Sequence, residues 1–167
     1  STAAAGVCDG TWTLGAGLLP PWEHGGNYWV VARSSDLAGN LQSVFTVGVD
    51  SRSVTFDLYK PTAALVSPPN GGQLNSEQDQ VSGTAQDSPA GVGTLEVALS
   101  SSAGTAGSWW DGASFSGAAP LYQSTASYVR GSPDTWTWER PPDAAMKNGH
   151  LYTLSVRTAD RAQPANV

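Results

Sequence analysis

The sequence predicts an all-β fold of two β-sandwich units, one partial and one nearly complete. Three observations predict it. Apolar and polar residues alternate with a period of two in several short stretches. Gly, Pro, Asn and Asp punctuate those stretches at short intervals. The first part of the chain also recurs in the last part.

The recurrence sets the order of the elements. A shift of 124 residues carries Thr11-Trp12-Thr13 onto Thr135-Trp136-Thr137, Gly25 onto Gly149 and Tyr28 onto Tyr152. The same shift carries Arg33 onto Arg157, Asp36 onto Asp160 and Ala38 onto Ala162. After Ala38 the copies drift, and Asp36-Leu37-Ala38-Gly39-Asn40 becomes a turn two residues longer, Asp160 to Asn166. Residues 1–60 therefore read as the C-terminal part of one repeat. Residues 61–167 read as a second repeat without its last strand. The boundary falls near Lys60-Pro61, where proline ends an extended segment.

In the first copy, Tyr28, Val30 and Ala32 alternate inward, and Val54, Phe56 and Leu58 form a closing strand. In the second, Ser-Pro-Pro-Asn-Gly-Gly (67–72) supplies a turn before a strand from Gln80 to Ala85. Leu95, Val97 and Leu99 alternate with Glu96, Ala98 and Ser100. Trp109-Trp110-Asp111-Gly112 carries the Asp-Gly hairpin signal. Leu121 to Val129 and Trp136 to Trp138 are further strands, and Tyr152, Leu154 and Val156 face inward on the last. Pro142 to Lys147 is one helical turn at most.

Composition bounds the function. The chain has 167 residues, 40% of them apolar, which is enough for packed cores. Charged residues are 13%, roughly half the usual share. Net charge is −6 with eight Lys plus Arg; a phosphate backbone would find no basic patch, so nucleic acid is not an expected partner. No apolar run is long enough for a transmembrane helix. Cys8 is the single cysteine, so neither an internal disulfide nor a cysteine zinc site is expected.

The ordered motifs Pro68-Pro69-Asn70-Gly71, Ser82-Gly83-Thr84-Ala85-Gln86-Asp87, Trp109-Trp110-Asp111-Gly112, Trp136, Tyr152 and Asp160 to Asn166 carry a resemblance. The chain resembles the bacterial immunoglobulin-like repeats of very large secreted and cell-surface proteins. It departs from their pattern in the longer Asp160–Asn166 ending. It departs again at Asp57-Leu58-Tyr59-Lys60-Pro61, where Asp-Thr-Thr-Pro-Pro is usual. The resemblance implies a secreted, extracellular protein with a structural or adhesive role, a stalk or filament, and no enzyme. Its partners would be neighbouring repeats or copies of itself, joined by strand complementation or along one longer chain. The alternative is a carbohydrate-binding accessory module of a secreted enzyme.

Candidate site residues follow. Trp12 and Trp136 are expected in the cores, and Tyr28 and Tyr152 are expected to pin a corner through their hydroxyls. Asp36 and Asp160 are turn caps, and Asp36, Asn40 and Asp57, with Asp87 beside them, are the candidate calcium ligands; no other cofactor is expected. Trp109 and Trp110 face opposite ways in a strand, so one is a candidate glycan contact. His24 and His150 fall near equivalent turns without a nucleophile or acid partner in sequence, so no catalytic residue is assigned.

Overall fold

The computed structural model describes residues 11–101, 108–125 and 127–167. It forms two compact units, Ser1–Phe56 and Asp57–Val167. Both are built from β-strands, with a single 3-10 turn at Ala16–Leu18 among the described residues.

The first unit pairs β1 (Asn27–Val31) with β2 (Ser51–Thr55) in antiparallel register, Tyr28 opposite Val54 and Val31 opposite Ser51. An aromatic cluster sits at the start of the hairpin, where the Trp22 ring meets Tyr28 at 4.4 Å and Phe56 at 5.8 Å. This unit has no wider sheet among its described residues, and the consequence is exposure. Trp12, expected in a core, is 58% exposed and lies outside any strand. Val30, expected to point inward, is exposed as well. Among the described residues, neither has the facing sheet that the equivalent residues of the second unit have.

The second unit is a sandwich. In chain order its strands are β3 (Thr62–Ser67), β4 (Gln80–Gln86), β5 (Val92–Ser100), β6 (Trp109–Trp110) and β7 (Phe115–Gly117). They continue with β8 (Gln123–Ser124), β9 (Ser127–Val129), β10 (Asp134–Glu139) and β11 (Thr153–Asp160). One sheet runs β3-β4-β10-β9 and the other β11-β5-β6-β7, with β8 paired to β5. The stretch from Leu121 to Val129, expected as one strand, therefore divides between the two sheets.

The core lies between these sheets. Val81, Ala85, Trp136 and Trp138 come from the first, and Val92, Leu95, Val97, Leu99 and Trp110 from the second. Trp136 is 1% exposed. Its indole N–H is satisfied by the Thr84 carbonyl at 3.1 Å, as a buried indole requires. Trp136 stands opposite Gly83 in the β10–β4 register. A Cβ on Gly83 would come within 2.3 Å of the indole and 2.0 Å of the Ala64 carbonyl. Glycine is thus needed in the Ser-Gly-Thr-Ala segment because a ring and a neighbouring strand both occupy the side-chain position.

Alternation is blurred at two places. Ala98 and Ser100 are buried along with Leu95, Val97 and Leu99, and the Ser100 and Ser108 hydroxyls bond to each other at 2.9 Å. Tyr152, Leu154 and Val156, expected to be buried, pack against the core but stay half-exposed. They lie on or beside β11, which is an edge strand.

Trp136→Ala should cost the second unit about 3–5 kcal/mol, the range for removing a buried aromatic. Gly83→Ala should cost about 1–3 kcal/mol through overpacking, whereas Trp12→Ala should stay within about 0.5 kcal/mol. Urea denaturation followed by far-UV circular dichroism measures all three. A Trp12 effect equal to that of Trp136 would contradict the packing described.

Candidate metal centre

Three carboxylates gather in the second unit where strands begin or end. Asp57 precedes β3, Asp87 follows β4, and Asp160 ends β11. Because β3 and β4 are antiparallel, the start of one and the end of the other fall together. The β5–β11 pairing brings Asp160 to the start of β5, where the register shifts at a bulge. Gly93 makes the bulge possible, since a Cβ there would lie 2.3 Å from the Asp160 carbonyl.

One carboxylate oxygen from each of Asp57, Asp87 and Asp160 lies within 4.8 Å of the others. Backbone amides hold Asp57 and Asp160 in place. Asp57 accepts the N–H of Tyr59 at 3.1 Å and of Ala90 at 2.9 Å. Asp160 accepts the N–H of Ala162 at 3.0 Å and of Asn166 at 2.8 Å, and the Asn166 side-chain amide at 2.6 Å. That same amide reaches the Asp57 carbonyl at 3.4 Å. Asp87 differs: its Oδ2 is buried and has no hydrogen-bond partner. Burial pushes the Asp87 carboxyl up, and the charge on Asp57 adds to this, with a weaker push from Asp160. A proton held on Asp87 removes one of the three negative charges of the cluster. It also offers only hard oxygen donors, the set that suits calcium rather than zinc.

Of the expected calcium ligands, Asp57 and Asp87 fall in this cluster, and Asp160 joins them. Asp36 and Asn40 belong to the first unit and are occupied with each other. Asp36 accepts the Asn40 N–H at 2.8 Å and its side-chain amide at 2.6 Å, and these bonds hold the Asp36 carboxyl below the usual range, the side-chain bond most. Asp57 belongs to the second unit, which supplies its own Asp–Asn turn through Asp160 and Asn166. Despite their different lengths the two turns share three bonds: each Asp carboxylate accepts the N–H and the side-chain amide of its Asn, and each Asp N–H donates to the carbonyl of its Asn, at 3.0 and 3.1 Å.

The tyrosine corners match too. The Tyr28 hydroxyl accepts the Glu23 N–H at 2.7 Å, and the Tyr152 hydroxyl accepts the Lys147 N–H at 2.6 Å. Gly25 and Gly149 take positive φ, 74° and 76°, at the same place in each turn. His150 stacks obliquely on Tyr152 at 6.4 Å.

Trp109 and Trp110, one of which was expected to be exposed, are both buried, 8% and 6% exposed. Trp110 belongs to the core cluster and meets Phe115 at 5.2 Å. Neither presents a ring to a sugar. The hairpin between them and β7 is fixed by Asp111, which accepts the N–H groups of Ala113 and Ser114 and the hydroxyl of Ser116. These bonds, the Ser116 hydroxyl first, hold the Asp111 carboxyl far below its usual range.

No family model, curated protein or solved structure matches the chain. No helix among the described residues is long and apolar enough to cross a membrane.

The sequence could have shown Asp160 at the centre, since the 124-residue shift maps Asp36 onto it. Arg140 gave no such signal. Its guanidinium is nearly buried, donates to the Gln78 and Pro141 carbonyls at 2.5 and 2.9 Å, and pairs with Asp143 at 2.5 Å.

Asp87→Asn should stabilise the second unit at pH 7 in the presence of EDTA by about 1 kcal/mol, because the amide can donate to Asp57 where a carboxylate cannot. The sign follows from the raised carboxyl. Asp87 contributes its full stability while protonated, below the unfolded value of 3.8, and loses it as the pH rises through the higher folded value. The difference between variant and parent should therefore vanish near pH 3 and grow towards neutrality. Thermal melts across that range check it; a difference independent of pH would contradict the origin assigned to it.

Proposed function

We propose that this chain is a stretch of an extracellular array of immunoglobulin-like β-sandwich repeats with a structural or adhesive role. One observation carries the reading. The same tyrosine corner and the same Asp–Asn turn recur 124 residues apart with matching hydrogen bonds. Tandem copies of one sandwich are the architecture of load-bearing and surface-presenting chains, in which each unit contacts chiefly its neighbours. The dense hydroxyl content and sparse charge of the strands fit a unit built for packing and display. The acidic centre at one end of the second unit serves the same role by fixing the loops there. A sugar-binding module has less support, because the two tryptophans that suggested it are buried.

Force spectroscopy on the chain held at its two ends tests this. The second unit should open in one cooperative event of about 35–40 nm, set by ~3.3–3.6 Å per extended residue. The chain should not be retained by cellulose, chitin or xylan. Retention on a polysaccharide, with gradual extension under low force, would favour the accessory module instead.

A further inference from the structure

Each tyrosine corner has an apolar residue directly before the backbone group it pins. In the first unit that residue is Trp22, whose ring meets Tyr28 at 4.4 Å and Phe56 at 5.8 Å. The next residue, Glu23, donates its N–H to the Tyr28 hydroxyl. The 124-residue shift carries Trp22 onto Met146, and the next residue, Lys147, donates its N–H to the Tyr152 hydroxyl at 2.6 Å. Met146 is the chain's only methionine. It packs against the core cluster, as do Ala145 and Tyr152, and it stays half-exposed. The connection from β10 to β11 depends on this contact. Arg140 fastens its start to the Gln78 carbonyl. One turn follows, closed by the Ala145 N–H on the Pro142 carbonyl at 2.8 Å and the Met146 N–H on the Asp143 carbonyl at 3.1 Å. Every residue from Lys147 to Leu151 is exposed. Met146 is therefore the last apolar attachment of the connection before Tyr152.

We propose that Met146 is a reversible oxidation site that controls the Tyr152 corner, with hydrogen peroxide as the class of oxidant. The thioether sulfur gives a lone pair to one peroxide oxygen. An S–O bond forms, the O–O bond breaks, and the second oxygen leaves as water with both peroxide protons. Sulfur is oxidised by two electrons and the peroxide is reduced. A thioether is apolar enough to rest on the core and flexible enough to fill the place an indole takes in the other copy. Its sulfoxide is polar. A polar group turned towards an apolar core loses its hydration without a replacement partner. The oxidised side chain therefore leaves the core, and the Lys147–Tyr152 bond beside it loses its support. Methionine sulfoxide reductases return the thioether, so the change is reversible. The first unit has an indole at this position and does not share the switch. The inference stands on the packing at the corner and not on the array reading.

The test uses the full chain with Cys8→Ser as background, so that no thiol consumes oxidant. Hydrogen peroxide is applied without denaturant, and peptide mass spectrometry locates the added oxygen. Met146 should convert. The Lys147 amide should then exchange at least about tenfold faster, and the melting midpoint of the second unit should fall by about 4 °C or more. Methionine sulfoxide reductase should restore both values. Met146→Leu, a volume-conserving change, should melt close to the parent and lose the response to peroxide. Met146→Gln, which places a polar group there without oxidant, should reproduce the lowered midpoint. A sulfoxide that forms while Lys147 exchange and the midpoint stay unchanged would overturn the proposal. So would a Met146 that resists peroxide until the unit is unfolded, or a Met146→Leu chain that responds as the parent does.

Discussion

The indole of Trp136 lying against Gly83 is the contact on which the second unit depends. It joins β10 to β4 at the centre of one sheet and presents its far side to the residues of the other. The ring fits only because position 83 has no side chain, and its N–H is tolerable in the core only because the Thr84 carbonyl stands within reach. The strand ends, and with them the acidic centre, are positioned by the two sheets this contact holds together. Burial of an aromatic of this size outweighs any single hydrogen bond in the unit.

A second constraint acts through strand edges. β1 and β11 are copies of one element, with the same corner before them and the same Asp–Asn turn after them, yet among the described residues β1 pairs with β2 and β11 with β5. This explains why equivalent residues differ so much in burial: Trp136 is enclosed by sheets whose counterparts around Trp12 are not formed by the described residues. The local hydrogen bonds survive in both settings because they are made within a few residues of the chain. The core does not, because it needs strands distant in sequence.

That division also governs how much was legible in advance. Features that depend on nearby residues could be read from the sequence: the all-β class, the Asp-Gly hairpin at Asp111, the Tyr28 and Tyr152 corners, and the capping of the turns by Asp36 and Asp160. Features that depend on which strands meet could not be read from a period of two. It did not show that β11 is an edge strand, that both Trp109 and Trp110 are covered, or that Leu121 to Val129 crosses between sheets. The acidic centre falls between these cases. Asp57 and Asp87 were visible as candidates, but their third companion is Asp160 from the far end of the same unit rather than Asp36 from the preceding copy, a pairing that only the folded sandwich brings about. Arg140 was not visible at all, because a guanidinium satisfied by backbone carbonyls has no sequence pattern.

The central claim is that the second unit carries a complete core, whereas the first carries the shared corner and turn on a two-stranded hairpin. Amide hydrogen exchange, followed residue by residue at low micromolar protein, tests it most directly. The account predicts that amides of β4, β5 and β10 exchange only through global opening of the second unit. Those of β1 and β2 should exchange through local opening, at least about a hundredfold faster. Equal protection in both sets would contradict it, since a two-stranded hairpin cannot match a closed sandwich unless the two units share one core.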